Sequence, residues 1–250
     1  MNIFIVLPAY NESDNIRPLF EKIALLNAPG AFASGQAECG VMLVNDGSTD
    51  NTAAAAKNSV KNFKLYLEEH GRNMGLGHAL RTGLKKALSL AQETDAVVVM
   101  DADNSHDPAL IAVMRGRMLE GYDVVVASRY APGGEERGLS RLRKFLSRSC
   151  SKILKYFFPI NNIKDYTCGY RMYGVPVLRK LSEITGGEFF KENGFVCMSE
   201  MLVSLNSIGA KMSEIPLVLR YDLKKGQSKM KIWRTIAEYF ALVWRFKCSS

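Results

Sequence analysis

The stretch Val97-Val98-Val99-Met100-Asp101-Ala102-Asp103 carries a run of apolar β-formers straight into two carboxylates one residue apart. Such a run reads as a buried strand that delivers both carboxylates to its end. Side chains alternate along a strand, so residues two apart share a face, and a chain turning out of the sheet lets both meet one ion. Hard oxygen ligands suit Mg²⁺ or Mn²⁺, which keep open positions for water and substrate phosphates. Asp-x-Asp in a surface turn is ordinary turn chemistry; its place after a strand is what points to a cation.

Outward from that strand, short β-branched runs recur at Asn2–Leu7, Val41–Asn45, Lys64–Leu67, Ala96–Met100 and Asp123–Ala127. Helical patterns fill the gaps near Asn15–Leu26, Thr52–Val60, Gly77–Ala91 and Pro108–Leu119. This alternation predicts βαβ units, hence an α/β fold on a mixed, mostly parallel sheet flanked by helices. Ligands of such sheets lie beyond the carboxyl ends of the strands. Four polar clusters stand at that edge: Tyr10-Asn11-Glu12, Asp46-Gly47-Ser48-Thr49-Asp50, Asp101 to His106, and Ser128-Arg129-Tyr130. One crevice fed by four strand exits is the expectation.

After about residue 130 the pattern changes. Ala131 to Gly138 reads as a loop, Ser140–Phe158 as a basic amphipathic helix, Lys211–Leu219 as a second apolar strand, and Lys231–Lys247 as a closing amphipathic helix. Residues 1–225 read as one domain, with a nucleotide half over about 1–105 and an acceptor half over about 106–225. Residues 226–250 form an appended loop and helix.

With 250 residues, 47% of them hydrophobic, the chain can bury a full core. A net charge of +8 and a pI of about 9.2 call for an anionic partner. Five cysteines without a CxxC exclude a disulfide framework or zinc site and fit a reducing compartment. Met1 to Pro8 lacks a basic leader region, and no window approaches the ~18 to 20 apolar residues of a membrane span. The expected location is cytoplasmic, peripheral on a membrane at most.

The other motifs each have a plain reading beside a chemical one. Gly47 eases a strand-to-helix turn and Ser48 to Asp50 cap the helix, or Asp46 accepts hydrogen bonds from a nucleotide, with Tyr10 and Glu12 in the same pocket. Gly75-Leu76-Gly77 lacks the third glycine of a dinucleotide fingerprint and reads as close packing, with Arg72 placed to salt-bridge a carboxylate in the crevice. Arg129, Arg141, Arg143 and Lys144 are ordinary surface residues singly and a phosphate site together. No basic ladder interleaved with aromatics occurs, so nucleic acid is not an expected partner. Phe145, Leu146, Ile153, Leu154 and Phe157 stand among Arg148, Lys152 and Lys155, a face that either packs on the core or rests in a membrane interface. Ile232, Trp233, Ile236, Tyr239, Phe240, Val243 and Trp244 pose the same choice. His78 reads as structural, and His106 stays open.

The motifs VLPAYNESDNI (6–16), VNDGSTDNT (44–52), NMGLGHALRTGL (73–84), MDADNSHDP (100–108), SRY (128–130), RKFLSRS (143–149), DYTCGYRMY (165–173), GFVCMSEML (194–202) and GQSKMK (226–231) span almost the whole chain. In this order they resemble the inverting family-2 glycosyltransferases of Rossmann-like GT-A fold, and among them the dolichol-phosphate mannose synthase group. The resemblance implies that Pro8, Tyr10, Glu12 and Asp46 line a nucleotide pocket and that Asp101, Ala102 and Asp103 meet the nucleotide-sugar diphosphate. It implies Asp101, Asp103 and Ser105 as ligands of Mg²⁺ or Mn²⁺, Arg129, Arg143 and Ser147 on an acceptor phosphate, and Lys229 in a loop closing on the donor. Asp101, Asp103 and Arg129 would be the catalytic set.

The implied reaction moves one sugar, mannose from GDP-mannose foremost, to a polyprenyl (dolichyl-type) phosphate with inversion. It would run at the cytosolic face of a membrane, with a small membrane-anchoring subunit as a further partner. A phosphate monoester with a second pKa near ~6 is largely a dianion at neutral pH, so no general base is expected. Asn45 stands where many relatives carry a second aspartate and Ser105 where some carry a glutamine metal ligand, which leaves the nucleotide base and the third metal ligand open; the alternative reading is a family-2 enzyme using UDP-glucose, another UDP-sugar or a non-lipid acceptor. The QxxRW signature of processive members is absent, favouring single transfer. The chain stops at Ser250 without a spanning helix, as in soluble catalytic subunits or a chain cut before its anchor. A sugar nucleotidyltransferase would want a glycine-rich phosphate loop where Pro8-Ala9-Tyr10-Asn11-Glu12 stands, and a silent scaffold would have no use for both aspartates.

Overall fold

The computed structural model describes residues 1–28, 30–32, 37–226 and 232–248, with residues 232–234 as backbone only. The first half alternates as the sequence predicts: β1 (Ile3–Ala9), α1 (Ser13–Ala24), β2 (Cys39–Asn45), α2 (Thr52–Ser59), β3 (Lys64–Glu69), α3 (Leu76–Leu90), β4 (Ala96–Val99), α4 (Leu110–Leu119) and β5 (Val124–Ser128). The second half adds β6 (Glu135–Arg137), α5 (Arg141–Phe157), β7 (Arg171–Gly174), α6 (Val175–Ile184), α7 (Cys197–Ser207), β8 (Met212–Pro216), β9 (Val218–Arg220) and α8 (Ile232–Cys248).

Seven strands form one sheet in the order β3-β2-β1-β4-β7-β5-β8. All its pairings are parallel except those of β7, which runs against both β4 and β5. The sheet therefore runs unbroken from β3 to β8, with β7 joining β4 of the first 105 residues to β5 and β8 of the later ones. Because β7 is reversed, its entry rather than its exit lies at the edge where β1, β2, β4 and β5 end.

Period-2 alternation divides the core. Ile5, Leu7, Val98, Met100, Val125 and Ala127 pack with Ile16, Leu19, Phe20, Ile111 and Met114 of α1 and α4 on one face. Val6, Val97, Val99, Val124 and Val126 pack with Leu80 and Leu84 of α3, Leu178 of α6, Met201 of α7 and Leu242 of α8 on the other. Both faces are covered, which explains why the strands read as unbroken apolar runs.

Three sequence expectations need correction. The strand expected over Lys211–Leu219 is two strands: Leu217 N–H donates to Ser128 O of the main sheet while Leu217 O accepts from Glu135 N–H, so the chain passes at this residue into a separate β6-β9 pair. Pro216, which has no N–H to give, marks the break. For the same reason the expected loop Ala131 to Gly138 contains a strand, with Glu136 buried at its centre. Finally, β7 is absent from the sequence reading because a buried arginine, Arg171, interrupts its apolar pattern.

Candidate active site

The exits of β1 and β2 are stitched together. Asn11 takes a left-handed φ of 53°, a region asparagine tolerates, and donates its N–H to Ser48 Oγ at 2.9 Å while its Oδ1 accepts from Thr49 N–H at 2.8 Å. The capping expected of Ser48 to Asp50 falls to Asp50 alone, whose carboxylate accepts from Ser13 N–H (3.1 Å) and Thr52 N–H (3.0 Å) and so ties down the starts of α1 and α2. Asp46 is buried and accepts from Met74 N–H (2.9 Å), Gly75 N–H (2.8 Å) and His70 Nδ1 (2.7 Å). Gly47 has φ +68°, and a Cβ there would sit 2.2 Å from the Arg72 carbonyl carbon, so only glycine lets the two loops close.

Gly75-Leu76-Gly77 serves close packing, as its plain reading expects: a Cβ on Gly77 would lie 2.4 Å from Glu192 O, and Gly77 N–H donates to Asn193 O at 2.9 Å. Arg72 is exposed and does not line the cavity described below, and the nearby carboxylate Asp46 is held by backbone N–H groups and His70.

At the exit of β4, Asp101 N–H donates to His106 Nδ1 at 3.1 Å, so the imidazole proton resides on Nε2, 3.9 Å from Asp101 Oδ2. His106 is buried and stacks on Tyr170 at 4.9 Å. Asp103 accepts from Ser105 Oγ (2.6 Å) and from the Lys224 ammonium (2.7 Å). Lys224 is delivered by its neighbour: the amide of buried Asn15 accepts from Lys225 N–H at 3.0 Å and donates to Lys225 O at 3.1 Å. Burial pushes the Asp101 carboxyl up, countered by His106 and reinforced by Asp103. Burial acts on Asp103 too, yet Lys224 holds it below the ordinary carboxylate range.

Among the described residues no three His, Cys, Asp or Glu side chains gather at one point. A cation here would therefore rest on Asp101 and Asp103 with its other positions left to water and phosphates, as suits Mg²⁺ or Mn²⁺. The donor set, two carboxylates with a hydroxyl beside them and no thiolate, fits those hard ions.

The exit of β5 is organised by a buried ion pair. Arg129, 9% exposed, donates through Nε and Nη2 to Asp165, 0% exposed, at 2.7 Å each. Arg129 Nη1 also reaches Glu136 at 3.4 Å and Nη2 donates to Thr167 Oγ1 at 2.6 Å. Full burial alone would raise Asp165, but the guanidinium holds it below the usual carboxylate range. The Arg129 fork expected to grip an acceptor phosphate is thus already engaged by protein. From α5, Arg143 donates to Tyr221 OH at 3.2 Å, and Ser147 Oγ accepts from Tyr130 OH at 3.0 Å.

These parts open on one cavity of about 610 Å³. It brings together Pro8, Tyr10, Glu12, Asp46, Asp101, Ala102, Asp103, Ser105, Arg129, Arg143 and Ser147, all singled out from sequence. Lys229 lies outside the described residues. Arg141 is exposed and does not line the cavity. Sequence reasoning passes over Thr167, Lys224, Asn193 and Glu238, which also line it, and Asp165, which organises it. Only the DYTCGYRMY motif flagged two of these, without a role for either.

Helices α5 and α8, which both contribute to the cavity lining, pack together and share Leu154 and Leu242 with the core. They leave Leu142, Phe145, Tyr156, Phe240 and Trp244 exposed; Phe145 is 67% and Trp244 74% accessible. Core packing therefore explains Leu154 but not Phe145 or Trp244. The side chain of Trp233 lies outside the described residues. No helix of the described residues is long and apolar enough to cross a membrane.

Comparison with known proteins agrees with this architecture. The chain is 28% identical over 246 residues to a dolichol-phosphate mannosyltransferase of Pyrococcus furiosus, covering 98% of this chain and 63% of that protein. It is 27% identical over 234 residues to an undecaprenyl-phosphate mannosyltransferase of Micrococcus luteus, covering 92% and 88%. The chain thus spans less than two thirds of the Pyrococcus relative's length. Glucosyl-3-phosphoglycerate synthase of Mycobacterium tuberculosis, solved with Mg²⁺ and uridine diphosphate, superposes with a TM-score of 0.68 at 19% identity over 97% of this chain and 79% of that one, a likeness of GT-A fold. Residues 4–182 match the profile described as Glycosyl transferase family 2, and with most of the sheet inside that match, the chain belongs to glycosyl transferase family 2.

Proposed function

We propose that this protein transfers a single mannose from GDP-mannose to a polyprenyl phosphate, with inversion at the anomeric carbon, at the cytosolic face of a membrane. The observation that carries the proposal is one cavity lined both by a carboxylate pair, Asp101 and Asp103, and by Arg143, Ser147 and Thr167, the first two of these on the amphipathic helix α5, which with α8 leaves apolar residues exposed. The names of the relatives favour mannose and a polyprenyl phosphate. Pro8, Tyr10, Glu12 and Asp46 take the nucleotide. Asp101 and Asp103, with Ser105 beside them, hold Mg²⁺ or Mn²⁺, which when bound supplies charge neutralisation for a departing diphosphate.

The chain's own residues do the rest by position and field. A phosphate dianion is already a nucleophile, so no side chain has to take a proton from it. The protein must instead hold two anions close together, which accounts for cations and hydroxyls rather than acid-base pairs on the acceptor side. Lys224 adds an ammonium within reach of the diphosphate side of the cavity. The exposed apolar residues of α5 and α8, set among lysines and arginines, suit a membrane interface that keeps a prenyl tail in lipid.

Mass spectrometry of lipid products, with a panel of nucleotide sugars and vesicles carrying polyprenyl phosphate, tests the proposal. Mannosyl phosphoprenol formed from GDP-mannose is the expected product. A different sugar as the preferred donor corrects the donor assignment, and transfer only to a water-soluble acceptor overturns the proposal.

A further inference from the structure

We propose that Asn193 reads the sugar of the nucleotide donor, its side-chain amide donating to a hydroxyl of the hexose that is transferred. The inference rests on the nucleotide-sugar reading above and adds a specificity residue to it. Asn193 belongs to the loop between α6 and α7, which brings Asn193, Gly194 and Phe195 into the cavity wall.

The loop is held from three helices. Buried Arg81 of α3 donates through Nε to Phe190 O (3.3 Å) and through Nη2 to Lys191 O (3.0 Å) and Asn193 Oδ1 (2.8 Å). The Glu200 carboxylate of α7 accepts from Lys191 N–H (3.0 Å) and Glu192 N–H (2.8 Å), and Arg245 of α8 pairs with Glu192 at 3.0 Å. A guanidinium has protons to give and no lone pair to receive with, so the amide oxygen of Asn193 faces Arg81 and the two Nδ2 protons face away from it. Asn193 is exposed, and its Nδ2 has no hydrogen-bond partner among the described residues. A ligand that takes those protons meets an amide whose orientation is already fixed.

Position and charge then select the sugar. Asn193 O accepts from Gly77 N–H, two residues from the Gly75 N–H that donates to Asp46, so the loop adjoins the nucleotide side of the cavity. Its far end runs into α7 beside the carboxylate pair: a Cβ on Gly169 would stand 3.8 Å from Asp101 Oδ1 and 4.0 Å from Met198 Cγ. A sugar hanging from a diphosphate at Asp101 and Asp103 falls along this stretch of wall. A Cβ on Gly194 would lie 2.5 Å from Glu238 Oε2, so a carboxylate stands over the loop, and it lines the same cavity. That charge repels a diphosphate or an acceptor phosphate. A sugar hydroxyl can donate to a carboxylate, which has places for about four donors, while it accepts from the amide. Phe195, 41% exposed in the same wall, offers an apolar surface to the C–H face of a pyranose.

The test uses the full chain with Asn193→Asp, which keeps the oxygen that Arg81 holds and removes both amide protons, and Asn193→Ala, which adds no charge. Calorimetry compares GDP-mannose with GDP, so the share of affinity due to the sugar is read as the ratio of two dissociation constants, with melting temperatures measured alongside. Both variants are expected to weaken GDP-mannose about 3- to 10-fold relative to GDP, the usual effect of one neutral hydrogen bond, with GDP itself bound as in the wild type. Equal loss for both ligands would place Asn193 on the nucleotide and overturns the inference, as does a wild-type ratio in both variants. A loss in Asn193→Asp that Asn193→Ala does not share is charge repulsion and overturns it too. Wild-type protein that prefers another nucleotide sugar corrects the donor reading, and the ratio is then read with that donor and its own diphosphate. Wild-type protein that binds no nucleotide sugar overturns both.

Discussion

The two sides of the cavity are built by different means. On the donor side, neighbouring strand exits hold one another: Asn11 to Ser48 and Asp46 to Gly75 are bonds between consecutive βα turns, 37 and 29 residues apart. On the proposed acceptor side Arg143 reaches Tyr221 across 78 positions, while on the donor side Lys224 comes to Asp103 from 121 positions away. The proposed donor side thus draws mainly on the parallel sheet, with Lys224 added from afar, whereas the proposed acceptor side hangs on the buried contact between Arg129 and Asp165. A site can be half inherited from topology and half assembled by tertiary contacts.

That contrast breaks most sharply at Asp165. Asp165→Asn removes the closer of the two buried carboxylates beside the Arg129 guanidinium, leaving Glu136 at 3.4 Å, and stability is expected to fall by about 3 kcal/mol, read from denaturant titration. Where folded protein remains, acceptor kinetics are expected to suffer while nucleotide binding persists. Loss of both in proportion would mean the two sides are not separate. On the donor side, Asp101→Asn and Asp103→Asn are expected to lose about 10²- to 10³-fold in rate and to weaken Mn²⁺ binding by calorimetry, with the acceptor monophosphate still bound. Full activity of both variants in the presence of chelator is the outcome that sinks the cation site.

The smallest effect sharpens the comparison at the helices. Phe145→Ser and Trp244→Ser remove apolar area that is already exposed, so melting temperatures are expected to hold while vesicle flotation weakens about five- to thirtyfold each, equivalent to about 1–2 kcal/mol. Flotation should also fall with salt and rise with anionic lipid. A lowered melting temperature with flotation unaltered would return these residues to the core.

Legibility from sequence follows the same divide. Strands β1 to β5, four of the helices between them and the carboxylate pair were readable because period and motif are local signals. Pro8, Tyr10, Glu12, Asp46 and the two aspartates were all found, and all line the cavity. Thr167 and Lys224 were not, since neither spacing nor composition marks a residue whose partner lies far along the chain. Strand β7 is hidden by Arg171, whose Nη1 and Nη2 donate to the backbone carbonyls of Met198 and Tyr166 and which breaks the apolar pattern without breaking the strand. Arg129 lines the cavity, but its pairing with Asp165 cannot be read from residues that share no motif.

The reversed strand β7 also sets the order in which the molecule can be completed. Strands β1 to β4 can pair as soon as they are synthesised, yet β5 meets the rest of the sheet only through β7. While the chain from Met100 to Tyr170 emerges, for some seconds at about 5–20 residues per second, Ala96–Val99 remains the open rim of a half-built sheet. An apolar rim with unpaired amides is a template for another chain. The strand that follows the cavity-lining Thr167, Cys168 and Gly169 is therefore also the one whose late arrival leaves the growing protein most open to its neighbours.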